Sequence, residues 1–317
     1  MLHGKTIVVT GATNGIGEVT ARELARAGAE VVIVSRSESK CARTVEKIQS
    51  ETGSRSVSYI AADLSTLAGM RYTAQTVLER FPKLHVLINN AGALFASRQI
   101  TVDGYEMTFA LNHLSYFVVT NLLLDLLKAT AASDGEARIV NVSSGAHYSV
   151  RGVNFDDLLR KKGYNAFGVY SETKLMNILF TNELARRLEG TGVTANSLHP
   201  GFVRTGFGMN NSGWFVRLFG LVTQFAAISP EEGAQTSIYL ASSPEVRGIT
   251  GKYFTNKQIK TPSAAARDSY QQEKLWRISE ELTGVHVVCA FLKQPPPMLL
   301  NETPHSEGFR LSFVYYV

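Results

Sequence analysis

The first thirty residues restrict this chain more than any other stretch. Lys5-Thr6-Ile7-Val8-Val9-Thr10 is a short apolar, β-branched run and reads as a buried strand. Gly11-Ala12-Thr13-Asn14-Gly15-Ile16-Gly17 follows, and a helical pattern runs from Glu18 to about Ala27. Strand, glycine loop and helix in that order make a phosphate cradle. The glycines let the backbone approach a pyrophosphate, and the helix N-terminus offers unpaired N–H groups and a partial positive charge. The spacing is G-x-x-x-G-x-G, not the G-x-G-x-x-G of the commonest dinucleotide fingerprint. A plain tight turn is the alternative, and the strand before and helix after weigh against it.

The later strands extend the pattern. Glu30-Val31-Val32-Ile33-Val34 is a second apolar run that ends in Ser35-Arg36, with no carboxylate to accept bonds from the adenosine ribose. A guanidinium suits a 2′-phosphate, so Arg36 points to NADP over NAD; a simple surface charge is the other reading. The run from Val57 ends in Asp63-Leu64, whose carboxylate is a candidate acceptor for an adenine amino group. The run from His85 ends in Asn89-Asn90-Ala91-Gly92, the one from Ala137 in Ser143-Ser144, and the one from Val193 in His199-Pro200-Gly201. Ligands of open parallel sheets bind at the carboxyl ends of the strands, where all of these endings fall.

Tyr170 and Lys174 stand four apart in a helical segment and so share one face. A neighbouring cation favours the phenolate, which predicts a Tyr170 pKa below the ordinary ~10 and a proton donor usable near neutral pH. Alone, Y-x-x-x-K is more often a solvated pair; the strand-end motifs reverse that balance.

With these motifs in this order, the chain resembles the short-chain dehydrogenase/reductase family over roughly residues 1–285. The motifs are T-G-x-x-x-G-x-G at Thr10–Gly17, Asp63-Leu64, N-N-A-G at Asn89–Gly92, Asn112, Ser144, Tyr170 with Lys174, and Pro200-Gly201 followed by Thr205. Within the family it is most similar to the retinol dehydrogenase-like branch, through Asn112–Phe117, Val142–His147, Leu198–Gly201 and the long insert between Ser144 and Tyr170. Thr173 stands where that branch usually has a second serine. The resemblance implies a Rossmann-type α/β fold: a doubly wound parallel sheet in three layers, α/β/α, as a single domain. It implies Tyr170 as general acid/base, Ser144 holding the substrate oxygen, Lys174 holding the nicotinamide ribose, and Asn112 binding a relay water. Cofactor contacts fall on Gly11, Thr13, Asn14, Gly15, Ile16, Gly17, Ser35, Arg36, Asp63, Leu64, Asn90, Ala91, Gly92, Pro200, Gly201 and Val203, besides Tyr170 and Lys174. The implied activity is NADP(H)-dependent hydride transfer to or from a lipophilic carbonyl or alcohol. A catalytically silent NADP sensor on the same fold is the alternative, against which the intact Ser144, Tyr170, Lys174 and Asn112 argue; a scaffold role rests only on the C-terminal tail. Subunit pairing through helices near 104–127 and 168–188, as dimer or tetramer, follows from the resemblance too.

Composition bounds the rest. The 317 residues are 44% hydrophobic with a net charge of +5. No basic cluster with interleaved aromatics signals nucleic acid. Cys41 and Cys289 lack metal-ligand spacing, so neither a metal nor a disulfide framework is expected, and a reducing cytoplasmic setting fits. The first strand leaves no room for a signal peptide, and no run of 18 apolar residues predicts a membrane span. Residues 206–228 are rich in large apolar side chains and follow the Pro-Gly turn where this family places a substrate lid. They read equally as a lid over a lipophilic substrate, with room for peripheral membrane contact, or as core or an oligomer contact. Residues 286–317 match no part of the pattern.

Overall fold

The computed structural model describes residues 2–202 and 228–286. Val203, Thr205, the expected lid up to residue 227 and the tail from residue 287 lie outside them.

Apolar β-branched runs form the centre of one sheet. Its strands are β1 (Thr6–Thr10), β2 (Glu30–Ser35), β3 (Val57–Ala61), β4 (Val86–Asn89), β5 (Ala137–Val142), β6 (Val193–His199), β7 (Tyr253–Thr255) and β8 (Gln258–Lys260). Their order is β3-β2-β1-β4-β5-β6-β7-β8, parallel throughout except for the β7–β8 hairpin. Strand order reverses direction between β1 and β4, which opens a crevice at their carboxyl ends. Every residue of β1, β4 and β5 is buried, as expected of strands covered on both faces.

On one face lie α1 (Gly15–Arg26), α2 (Glu38–Thr52) and α6 (Pro230–Ser242), whose Leu24, Ile48 and Leu240 join Ile7, Val9 and Ile33 in a core cluster. The other face carries α3 (Leu67–Arg80), α4 (Met107–Asp134), α5 (Ala166–Arg187) and α7 (Ser269–Thr283). The doubly wound α/β/α architecture is therefore present.

Local chemistry sets the helix ends. Ser229 opens α6 with a capping box to Glu232 and Pro230 in the first turn. Asp268 caps α7 by accepting from Tyr270 and Gln271 N–H, and Gly284 ends it in the left-handed region. Helix α4 meets the length and hydropathy of a membrane span, yet 67% of that apolar window is buried inside the fold, as for a core helix.

Helix α7 and the β7–β8 hairpin were not anticipated. The hairpin turns on Asn256 and Lys257, both at positive φ. Helix α7 lies along α5 and seals it. Trp276, 1% exposed, packs edge-on against Phe117 and stacks with Phe180, while Arg187 lies 4.2 Å over its ring. His113 Nε2 meets Ser279 Oγ at 2.8 Å. The α5 helix expected to pair subunits is thus already covered within its own chain.

Candidate active site

The glycine loop is shaped by close approach. Gly11 has φ +66°, and a Cβ there would sit 2.7 Å from Ala91 Cα. A Cβ on Gly17 would lie 2.5 Å from both Asn90 Nδ2 and Gly11 O. Only glycine lets the loop after β1 nest against the turn after β4. Thr10 locks the two together: its Oγ accepts from Asn90 N (2.9 Å) and Ala91 N (3.0 Å). Asn90 Nδ2 donates to Thr10 O at 2.8 Å and to Gly11 O at 3.1 Å. Asn14, at the start of α1, makes no side-chain cap bond, which leaves its amide uncommitted to the helix. Glu18 would repel an anion at that helix terminus, and Lys47 pairs with it at 2.6 Å.

At the end of β2, Ser35 Oγ lies 3.1 Å from Thr13 Oγ1, bringing that strand end to the loop. Arg36 is exposed and makes no hydrogen bond or ion pair with another described residue. An opening of about 290 Å³ between the glycine loop and α2 is lined by Thr13, Asn14, Lys40, Arg43, Thr44 and Lys47. Asp63 is exposed, with one carboxylate oxygen accepting from Ser65 N and Oγ (2.9 and 2.8 Å); Leu64 is buried.

The second half of the site lies between β4, β5, α4 and α5. Asn112 is fully buried in a π-helical turn, Ala110–Leu114, at the head of α4. Its Oδ1 accepts from Ala93 N, and its Nδ2 donates to Ala93 O and Thr173 Oγ1, all within 3.0 Å. The Asn112 side chain therefore clamps the Asn89–Gly92 turn to α5. Thr173 Oγ1 in turn donates to Tyr170 O at 2.7 Å.

Ser143 and Ser144 part as strand alternation requires. Ser143 Oγ donates to Lys174 O at 2.7 Å. Ser144 Oγ faces Tyr170, with which it hydrogen-bonds, and accepts from Ala146 N at 3.2 Å. His147 Nε2 accepts from Ser263 N, so its proton sits on Nδ1 and is donated to Ser144 O at 2.7 Å. That contact fixes the Ser144 backbone. His199 lies against Gly145, and burial lowers its pKa to about 4.

Lys174 is 3% exposed and points between the Tyr116 and Tyr170 rings, 5.8 and 5.7 Å from their centroids. Its Nζ donates to Val142 O at 2.9 Å. Burial lowers its pKa to about 7. Burial also pushes Tyr170 up to about 12, with the Ser144 hydrogen bond opposing. The expectation that Lys174 depresses the Tyr170 pKa is therefore not met in the ligand-free site. Desolvation dominates the Tyr170 shift, and the same burial disfavours the charged form of Lys174.

Of the residues singled out from sequence, the structure gathers Ser144, Tyr170, Lys174, Asn112 and Gly92 into one cluster. A Cβ on Gly92 would lie 3.3 Å from Asn112 Oδ1 and 3.4 Å from Lys174 Nζ. Gly11, Thr13, Asn14, Gly15, Gly17, Asn90 and Ala91 form the adjoining cradle; Pro200 and Gly201 close β6, and Val203 lies outside the described residues. From sequence, Thr10 and Thr173 stand only as members of their motifs, and Tyr116 and Asn177 carry no assigned role. Helical spacing signals two of them: Tyr116 is four residues after Asn112, and Asn177 three after Lys174.

Comparison with known proteins agrees with this arrangement. A family model described as short chain dehydrogenase matches residues 5–214. Human retinol dehydrogenase 14 is 44% identical over 300 residues, spanning 90% of this chain and 88% of that protein. Among solved structures, the RhlG/NADP active-site complex of Pseudomonas aeruginosa superposes with a TM-score of 0.64 at 29% identity, covering 80% of this chain and 94% of that one. A short chain dehydrogenase from Burkholderia cenocepacia in complex with NADP gives 0.62 at 28% identity, covering 80% and 96%. The chain belongs to the short chain dehydrogenase family. It is an oxidoreductase, similar over most of its length to retinol dehydrogenases.

Proposed function

We propose that the protein is an NADP(H)-dependent oxidoreductase acting on the carbonyl or alcohol carbon of a lipophilic substrate. The observation that carries this reading is the cluster of half-buried Ser144 with buried Tyr170 and Lys174 at the carboxyl edge of the sheet, next to the glycine cradle. The residues present fit a nicotinamide dinucleotide. The cradle is closed to any Cβ at Gly11 and Gly17, Lys40 and Arg43 bring positive charge to the opening beside it, and Arg36 ends β2 where a 2′-phosphate would be read. When bound, the nicotinamide supplies or accepts the hydride.

The chain's own groups do the remainder. Ser144 Oγ and the Tyr170 hydroxyl both donate to the substrate oxygen and hold it against the reacting face. As negative charge builds on that oxygen during reduction, the Tyr170 proton passes to it. A phenol with a pKa near 12 stays protonated until that moment and is still far more acidic than an alkoxide's conjugate alcohol. Alcohol oxidation needs the phenolate, and hence a charged Lys174 beside it. Asn112 holds the Asn89–Gly92 turn against α5, so that Lys174 faces the open side of Gly92.

A lipophilic substrate is supported by the likeness to retinol dehydrogenases and by two exposed phenylalanines. Phe167 precedes Tyr170 by one helical turn and Phe202 follows Gly201; they are 54% and 46% exposed.

The test is NADPH consumption with aldehydes and ketones graded in chain length, on the wild type and Tyr170→Phe. Tyr170→Phe should bind NADPH normally and lose roughly 10²–10⁴ in rate. Near-normal turnover with tight NADPH binding in that variant would remove Tyr170 as the proton donor.

A further inference from the structure

The segment joining Ser144 to the Tyr170 helix is long, and it is fastened in an unusual way. Glu172 lies two residues after Tyr170 and two before Lys174, so at about 100° per residue its side chain points away from both. It faces the strap formed by residues 150–165. Its Oε2 meets Arg160 Nη2 at 2.5 Å and accepts from Asn154 N at 3.0 Å. The two charged side chains are only 9% and 14% exposed.

Arg160 holds this position with φ +55°. The only other described non-glycine residues at positive φ are the two at the tip of the β7–β8 hairpin. The left-handed region is uncommon and costly for a non-glycine residue, and at Arg160 the buried contact with Glu172 is set against that cost.

The far edge of the strap is tied to the other side of the site. Arg98 Nε donates to Leu159 O at 2.7 Å, and the Tyr164 hydroxyl donates to Phe95 O at 2.8 Å. Phe95 and Arg98 lie two and five residues after Ala93, which Asn112 clamps. The strap therefore spans from the helix bearing Tyr170 to the loop that follows the Asn89–Gly92 turn.

We propose that the Arg160–Glu172 pair is a latch that holds residues 150–165 as a fixed wall of the substrate cleft, making Arg160 a positioning residue that sets selectivity for bulky substrates. The substrate part rests on the function proposed above. Neither residue reaches the reacting atoms; both act through the strap.

Three variants separate the latch from the turn. Arg160→Gly relaxes the backbone and removes the guanidinium; Arg160→Met keeps the strain; Glu172→Gln keeps an acceptor for Asn154 N and removes the charge. Amide hydrogen exchange is measured first, without nucleotide. Residues 150–165 should exchange about tenfold faster in all three variants, with the Thr10–Gly17 loop unchanged. Steady-state kinetics with NADPH then compare a short and a long-chain aldehyde. KM for the long aldehyde should rise about tenfold with kcat nearly constant, while the short aldehyde and NADPH are unaffected.

Wild-type exchange in Arg160→Gly would overturn the latch, since it would show that the turn alone holds the strap. An equal fall in kcat for both aldehydes would overturn the selectivity role. If the wild type turns over no carbonyl at all, the functional reading fails, and the exchange result still decides the latch.

Discussion

Replacing Lys174 with Met should make the ligand-free protein more stable while abolishing turnover. Lys174 is buried, and its pKa falls from the ordinary 10.5 to about 7. Below pH 7 the fold must hold a charge in a dry site; above pH 10.5 the side chain is neutral in both folded and unfolded chains and the penalty vanishes. Between these limits the unfolded chain carries more protons, so this group makes stability rise with pH, by about 1.4 kcal/mol per unit. The full drop sets a ceiling of about 5 kcal/mol, and relaxation of the site brings the realised cost to roughly 2–4 kcal/mol. Methionine removes that cost and loses one hydrogen bond, worth about 1 kcal/mol. The acceptor, Val142 O, is not stranded, because Asn177 Nδ2 (3.2 Å) and the Tyr116 hydroxyl (3.3 Å) still donate to it. The net gain at pH 6.5 is therefore about 1–3 kcal/mol, shrinking steadily as pH rises toward 10. Urea denaturation followed by circular dichroism, on both proteins without nucleotide from pH 6.5 to 9.5, measures the difference directly. A difference that does not change with pH, or a methionine variant less stable at pH 6.5, would refute the reasoning.

Three other outcomes are expected. Arg36→Ala should raise the NADPH KM about tenfold or more and leave NADH unaffected, since a charge-assisted contact is worth ~1.5–3 kcal/mol; an unchanged NADPH/NADH preference removes Arg36 from the selection of cofactor. Trp276→Ala should lower stability by about 3–5 kcal/mol in urea, because a large side chain leaves the seam between α5 and α7; a loss under about 1 kcal/mol would show that the two helices do not depend on it. If subunits associate, α5 has little free surface to offer, and the half-buried Leu122 and Leu126 of α4 present a face. Light scattering should then report a dimer or tetramer that Leu122→Glu converts to monomer, and an assembly unmoved by that change places the contact elsewhere.

Much of this fold could be read from the chain because its central strands are buried on both faces and so spell continuous apolar runs. The strand ends were legible for the same reason, since polar and glycine residues stand out where such runs stop. Helix α7 escaped notice because its burial comes from a few large residues, Leu275 and Trp276, within an otherwise polar stretch. The β7–β8 hairpin escaped because β8 is exposed throughout and its turn, Asn256-Lys257, lacks the usual glycine. The electrostatics of the pair were misjudged for a different cause. Spacing reveals that Tyr170 and Lys174 are neighbours, but how deeply a neighbour is buried depends on α4 and on residues far away in sequence, such as Tyr116. Those residues set the desolvation that discharges Lys174 instead of letting it charge Tyr170.

The same packing explains why Asn112 and Lys174, close in space, do different work. Both amide atoms of Asn112 are committed to Ala93 and Thr173, and breaking any of those bonds would strand a buried polar group. Asn112 is therefore a fixture. Lys174 holds a single described hydrogen bond, to a carbonyl that keeps two other donors when the ammonium leaves. Its Nζ would lie only 3.4 Å from a Cβ on Gly92, so an acceptor bound beside that glycine is within its reach. Burial in this site favours the protonated form of Tyr170 and disfavours the charged form of Lys174. A nucleotide hydroxyl accepting from that ammonium would offset part of the burial cost, and its binding would stabilise the fold by mass action.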